Sequence, residues 1–314
     1  MLNSYHQTNM ALGSKVDLVL VSGNAKNQID NLFDNLWNII FQFETRFSRF
    51  LANSELSLFN KNAGQKTDIS DEFRELLIRA KEFSVSTEGL FNPFVLPVLH
   101  KVGYKQSQVK KYAIDWQEDY SKRHMVDISN LNIQGNTATI PWGTAIDFGG
   151  LGKGYLADKL ADSLPKDIVG YWLSVGGDIS TYGNDEKGEK WRIQIEDAQN
   201  RPKTLKNWVI LAPSKRFAVA SSSILERRGP NWHHIIDARS QLPAQSDVAV
   251  ATVCCDDTVR ADVLAKLAIV LGSSNSVAKK LHSLGAKSLL LQCITENGQM
   301  EVKHFGSKII SGES

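Results

Sequence analysis

Four glycines fall within six residues of this chain, at Gly149, Gly150, Gly152 and Gly154, in the stretch D-F-G-G-L-G-K-G-Y-L-A-D that begins at Asp147. They separate a strand-like run from a helical pattern, so the chain must pass into a helix here with almost no side-chain bulk. Backbone amides at such a helix start approach a phosphate without Cβ hindrance, and the positive end of the helix dipole favours the anion. The same spacing equally serves a tight turn and close helix packing, and the glycines alone do not choose. A P-loop needs Ser or Thr after Gly152-Lys153 and a glycine where Asp147 stands. A dinucleotide fingerprint needs an acidic residue about twenty positions on, at the end of the next strand. Neither fits, so a nicotinamide or flavin oxidoreductase of the doubly wound type is a distant reading.

The flanking patterns set the fold class. Lys15 to Val21 alternates like a strand, and Ile29, Leu32, Phe33, Leu36, Ile40, Phe43 and Phe47 then follow a helical stripe. Helices are predicted over 71–84, capped by Ser70, over 155–164 before Pro165, and over 258–271 and 276–284. A hairpin is predicted around Gly135-Asn136, with later strands at 171–175, 191–195, 208–211, 233–236 and 248–254 and a terminal hairpin turning at Asn297-Gly298. Residues 101–125, rich in Lys, Gln and Tyr, read as a surface excursion. No Pro/Gly/Ser linker or repeat divides the chain. The expectation is α+β, with mixed or antiparallel sheets and helices packed outside.

Composition removes other classes. At 314 residues the chain buries a large core. Its 36 Lys and Arg nearly balance 34 Asp and Glu, so no global field recruits nucleic acid or an acidic membrane. Three cysteines make no closed disulfide framework, and Cys254 and Cys255 sit together in an apolar run without CxxC spacing, as reduced core thiols do. No run reaches the roughly 18 apolar residues of a membrane span, and the first fourteen residues lack a basic n-region, an apolar h-region and a lipobox cysteine. A cytoplasmic location is expected on that ground.

Beside the glycine-rich segment stand M-A-L-G-S (Met10 to Ser14), F-S-R-F-L-A-N-S-E-L-S-L-F-N (Phe47 to Asn60), E-G-L-F-N-P-F-V-L-P-V-L (Glu88 to Leu99), H-I-I-D-A-R (His234 to Arg239) and A-D-V-L-A-K-L-A-I-V-L-G (Ala261 to Gly272). In this order and spacing the blocks resemble the FAD:protein FMN transferases, the ApbE-type flavin transferases, from about Met10 to Phe305. The resemblance implies one ApbE-like domain over 5–310, with two coupled lobes around a flavin cleft. It also implies transfer of FMN from FAD, as substrate, to a Ser or Thr hydroxyl of an acceptor flavoprotein domain, with release of AMP.

That reaction asks for charge neutralisation at phosphate, a proton acceptor, and a surface that holds a long ligand in line. The resemblance carries a metal site, of the kind that takes Mg²⁺, onto Gly152, Asp262 and Ala265. Lys266 stands where a hydroxyl is expected; an ammonium donates only and repels a cation, so it either takes the place of the ion or forms a plain i,i+4 pair with Asp262. His234 is the implied catalytic base, with Lys266 as the catalytic cation; alternation on a strand puts His233 on the other face. The ligand contacts carry over to Met10, Phe50, Leu90, Phe91, Asn92, Gly149, Tyr155 and Ile236. Asn92 replaces the usual Asp, and Ala238 and Gln241 replace Pro and Gly of D-P-x-T-G. Asp178, in S-V-G-G-D-I, receives no role. Two readings stand beside transfer: an FAD pyrophosphatase giving FMN and AMP, and a catalytically lapsed flavin-binding paralogue suggested by the four departures.

Overall fold

A computed structural model of the chain describes residues 2–107, 118–307 and 310–312. Two compact units emerge, one drawn from 1–41, 153–223 and 246–314 and the other from 42–152 and 224–245.

The first unit is built on an eight-stranded sheet whose strands lie side by side in chain order: Asn3–Ala11, Ser14–Ser22, Gly170–Val175, Asp178–Tyr182, Phe217–Ser223, Val248–Cys255, Ser288–Ile294 and Met300–Gly306. Each neighbouring pair is antiparallel. Leu12 and Gly13, both at positive φ (53° and 66°), turn the first hairpin and set Met10 opposite Lys15. A three-stranded sheet places Thr204–Leu211 between Arg192–Glu196 and Ile310–Gly312.

The helices, in chain order, are α1 (Lys26–Phe47), α2 (Glu55–Lys61), α3 (Asp71–Ser86), α4 (Leu96–Val102), α5 (Gly152–Asp162), α6 (Thr258–Leu271) and α7 (Asn275–Ser283). Helix α6 is apolar nearly all round, which suits a helix buried on most of its surface. Its first amides, which lack partners within the helix, are satisfied by two carboxylates: Asp257 accepts from Arg260 N at 3.0 Å, and Asp158 of α5 accepts from Thr258 N and Val259 N at 2.9 and 2.8 Å. The predicted Ser70 cap is present, its hydroxyl accepting from Phe73 N at 3.2 Å.

In the second unit Phe43, Phe47, Phe59, Phe73 and Phe148 form one core of tilted and edge-to-face rings, with centroid separations from 4.9 to 6.2 Å. The S-E-L-S-L-F-N block proves structural in detail. Ser54 caps α2, Glu55 accepts from Arg46 and from Ser70, and Asn60 exchanges two 2.8 Å hydrogen bonds with the backbone of Ile146.

Two expectations are corrected. The strand over 233–236 is broken into Trp232–His233 and Ile236–Asp237, because Ile235 N donates to His233 Nδ1 at 3.3 Å and Ile235 O accepts from Ala244 N at 2.9 Å. The excursion over 101–125 begins inside α4, and its Tyr104 and Tyr120 are buried; residues 108–117 lie outside the described residues.

Candidate functional site

The glycine-rich segment is pinned before α5 begins. Asp147 N donates to Pro93 O at 2.8 Å, Phe148 enters the aromatic core, and Gly152 N donates to Phe148 O at 2.7 Å. None of the four glycines has a positive φ, so handedness does not require them, and space requires three of the four. A Cβ on Gly149 would meet Asp147 Oδ2 at 2.7 Å, one on Gly150 would meet Phe91 Cε2 at 2.9 Å, and one on Gly154 would meet Thr258 O at 2.6 Å. A Cβ on Gly152 finds nothing nearer than 3.6 Å. Of the two uses the spacing left open, Gly154 serves close packing of α5 on α6, while Gly152 is buried against Phe148 and Phe43 with room for a Cβ.

In the first unit four charges converge beside that start. Lys153, in the first turn of α5, donates to Asp178 Oδ2 at 2.8 Å; Lys266 of α6 pairs in direct contact with Asp262, and its ammonium lies 3.3 Å from the carbonyl of Asp262. The carboxylates are 0% and 1% exposed, whereas the lysines are 19% and 17% exposed, so the ammonium groups form the accessible side of the cluster. Burial, then the neighbouring charge of Asp262, pushes the Asp178 carboxyl up to about 6. The Gly176-Gly177 turn closes over the stem of Lys153: a Cβ on Gly176 would lie 3.1 Å from Lys153 Cδ.

The cluster tests the implied metal. Asp178 Oδ1 and Asp262 Oδ2 are buried without a hydrogen-bond donor among the described residues, which favours a cation. Against it, Lys266 already holds Asp262, and a divalent ion on that carboxylate at about 4 Å from the ammonium meets a repulsion of roughly 8 kcal/mol at an effective dielectric of about 20. The two carboxylates are neutralised by two ammonium groups. Gly152 opens α5 and Ala265 lies inside α6, so both carbonyls belong to helical hydrogen-bond ladders. No cluster of three or more His, Cys, Asp or Glu suited to a metal occurs among the described residues. With Asp262 already held by Lys266, and no group of three or more acidic, His or Cys donors among the described residues, these residues do not fit Mg²⁺.

The second unit holds a different kind of cluster. Phe50 and Ile236 pack with Val98, Leu99, Tyr104 and Trp232. Tyr104 stacks on Trp232 with centroids 5.6 Å apart and meets the His234 ring edge-on at 6.2 Å. The Arg49 guanidinium lies over Tyr104 and Phe50, at 4.4 and 4.7 Å from their centroids, and 3.9 Å from Asp147 Oδ2. His234 thus joins two of the sequence-predicted contacts, Phe50 and Ile236, through Tyr104. His233 is spent on structure, its ring bridging Ala244 O at 3.0 Å and Ile235 N.

The remaining candidates separate. Leu90 and Phe91 are buried, and Asn92 uses its carbonyl to cap the turn at Phe94 N and its amide nitrogen to reach Val126 O, both at 2.9 Å. Tyr155 is buried on α5, while Met10 is 46% exposed on the sheet-edge strand. Sequence reasoning passed over Tyr104, Trp232, Arg49 and Lys153. Arg49 and Lys153 lie inside quoted motifs, but Tyr104 sits in a polar run with no periodicity to mark it.

An antiparallel eight-stranded sheet with flanking helices in the first unit, and an aromatic and histidine cluster in the second, define an α+β class of protein. The particular membership follows from comparison. The pattern of the ApbE family matches residues 12–286, and the chain belongs to that family. It is 26% identical over 265 residues to the FAD:protein FMN transferase of Vibrio cholerae, covering 82% of this chain and 76% of that protein. The enzyme of the same name from Haemophilus influenzae is 25% identical, covering 83% and 78%. Among solved structures, the ApbE protein of Thermotoga maritima superposes with a TM-score of 0.80 at 23% identity, covering 95% of this chain and 96% of that one. The flavin transferase ApbE of Vibrio cholerae gives 0.78 at 22% identity over 98% of both chains. These likenesses establish the antiparallel α+β architecture.

Proposed function

We infer that this chain is an FAD:protein FMN transferase. The observation that carries the reading is membership of the ApbE family over 12–286, with relatives of that activity aligned over four-fifths of the chain. FAD is the substrate and a flavoprotein the acceptor. The catalytic unit in this reading is the whole of 5–310, acting as one functional domain.

In the finer proposal the acceptor supplies a Ser or Thr hydroxyl. Its oxygen forms a bond to the phosphorus of the FMN half, the bond from that phosphorus to the AMP phosphate breaks, and the electron pair leaves with AMP. His234 takes the hydroxyl proton; imidazole is suited to this near neutral pH, and general-base help is typically worth roughly 10² to 10⁴-fold. Phe50 and Ile236 offer flat apolar area to the isoalloxazine; Leu90, Phe91, Met10, Tyr155 and Gly149 are the further ligand contacts that the family resemblance implies, although the Gly149 amide already donates to Asp147 Oδ2 at 3.1 Å. Asn92, whose side chain caps the turn before Phe94, contributes by fixing that turn. Charge on the phosphates is met by Lys266, without a step through a metal.

The test is incubation with FAD and a candidate acceptor domain, followed by mass spectrometry of the acceptor and assay of AMP. Covalent FMN on the acceptor with matching AMP is the expected result. Free FMN and AMP with unlabelled acceptor identifies a pyrophosphatase instead, and intact bound FAD identifies a non-catalytic binder.

A further inference from the structure

The charge cluster of the first unit contains two cations where the family resemblance leads one to expect a metal. Lys153 follows Gly152 at the start of the eleven-residue helix α5, and Lys266 lies one turn from Asp262 on α6. Each is held by a buried aspartate, and each keeps more exposure than its partner, 19% against 0% for Lys153 and 17% against 1% for Lys266. An arriving anion therefore meets the ammonium groups, with the carboxylates behind them. Asp178, which the sequence left without a role, holds Lys153, with the stem of that lysine lying under the Gly176-Gly177 turn.

We propose that Lys153 and Lys266 together supply, as fixed side chains, the double positive charge that meets the phosphates of FAD, so that this protein binds its nucleotide without a divalent ion. The placement of the charges favours it. Two ammonium groups carry the charge of one Mg²⁺ and stand on the accessible side of the cluster, where an anion arrives. A divalent ion would have to share Asp262 with Lys266, whereas removing Lys266 leaves the cluster at −1, with Asp262 open to a metal. Asp178 and Asp262 act here as positioning residues, since they set the ammonium groups and do not themselves face the anion.

The proposal rests on the transferase reading in taking FAD as the ligand, and the experiment keeps the two apart. FAD and riboflavin, which lacks the phosphates, are titrated into the protein in EDTA and in excess Mg²⁺, with melting curves as a folding control. The unmodified protein is expected to bind FAD equally, within about twofold, in both buffers. Lys266→Met should weaken FAD by about ten- to a hundredfold, the range for loss of a charge-assisted hydrogen bond, and leave riboflavin unchanged. Lys266→Thr should show the same loss in EDTA and regain part of it in Mg²⁺. A tenfold gain of FAD affinity on adding Mg²⁺ to the unmodified protein overturns the proposal without any variant and leaves the transferase assignment standing. Equal loss of FAD and riboflavin in Lys266→Met assigns Lys266 a merely structural role and also overturns it. Failure of the unmodified protein to bind FAD in either buffer removes both readings.

Discussion

The charge cluster of the first unit and the aromatic cluster of the second bury ionisable groups under opposite constraints. Around Asp178 the buried group is an acid, and burial together with the charge of Asp262 favours its neutral form. Near Tyr104 the buried group is a base: His100, on α4, is held down to about 4, first by burial and then by the positive charge of Arg49, against which Asp119 pulls only partly. Its Nδ1 accepts from Tyr120 N at 3.2 Å, as a neutral imidazole can. Acid thus relieves the first cluster and loads the second. One region holds ammonium groups over buried carboxylates, and the other holds a guanidinium against two aromatic rings, with the carboxylate of Asp147 3.9 Å away.

The largest effect that would break this division lies at His234. If proton transfer belongs to the aromatic cluster, His234→Ala should bind FAD nearly as the parent does and lose roughly 10² to 10⁴-fold in the rate of flavin transfer. His233→Ala should instead lower stability, because its ring bridges Ala244 O and Ile235 N, and should retain most of the transfer rate per folded molecule. Single-turnover labelling of the acceptor, corrected for folded fraction, distinguishes them. Equal rates for the two variants would take the chemistry away from His234.

The next effect is in acid, and its sign follows from linkage. Above pH 6.5 His100 is neutral in both folded and unfolded chains and contributes no pH dependence. Between pH 6.5 and about 4 the unfolded chain binds a proton that the folded one refuses, so stability falls by an amount on the order of 3 kcal/mol across that window and then levels off. Asp178 acts the other way. Its folded carboxyl, titrating near 6, takes a proton before the unfolded one does, so its contribution to stability rises as pH falls toward the ordinary value of 3.8. The two slopes offset one another in the parent protein. His100→Asn, neutral at every pH, should therefore gain on the parent by about 3 kcal/mol between pH 7 and 4, read from urea unfolding at each pH. Parallel stability curves for parent and variant would show that His100 is not buried neutral.

Why one cluster was half legible and the other hardly so comes down to how each is built. Asp262 and Lys266 are four apart in an apolar helix, and helical periodicity places them together without any tertiary knowledge. Their companions Lys153 and Asp178 are joined only by the packing of α5 beside a strand end, which no spacing encodes. The strand Ser14–Ser22, the capped helix α3 and the hairpin at Asn297-Gly298 were readable from alternation, capping chemistry and turn residues. The central strand Phe217–Ser223 was not, because F-A-V-A-S-S-S carries small residues on both faces and no alternation. In the second unit the misreading of 233–236 had a single cause. A side-chain nitrogen of His233 competes for the backbone there, which breaks the strand and removes alternation as the reason to separate His233 from His234. Tyr104 and Trp232 come from segments far apart in sequence, and only the folded chain stacks them.

The smallest expected effect sharpens the comparison most directly, because it asks how much of the behaviour of the aromatic cluster is electrostatic. Arg49 is the second cause of the lowered His100, after burial. Arg49→Met keeps a long apolar side chain over Phe50 and Tyr104 but removes the charge, along with cation–π contacts worth roughly 0.5–1 kcal/mol each. With the guanidinium gone, the His100 ring should titrate at higher pH than in the parent yet still below 6.5, because burial remains. Its NMR titration would then end nearer neutrality, and the stability lost to acid would shrink. An unmoved His100 would mean that burial alone sets its behaviour and that the guanidinium's field is spent on Asp147, 3.9 Å away. The aromatic cluster would then differ from the charge cluster only in the sign of the group it buries, and no longer in the kind of force that holds that group neutral.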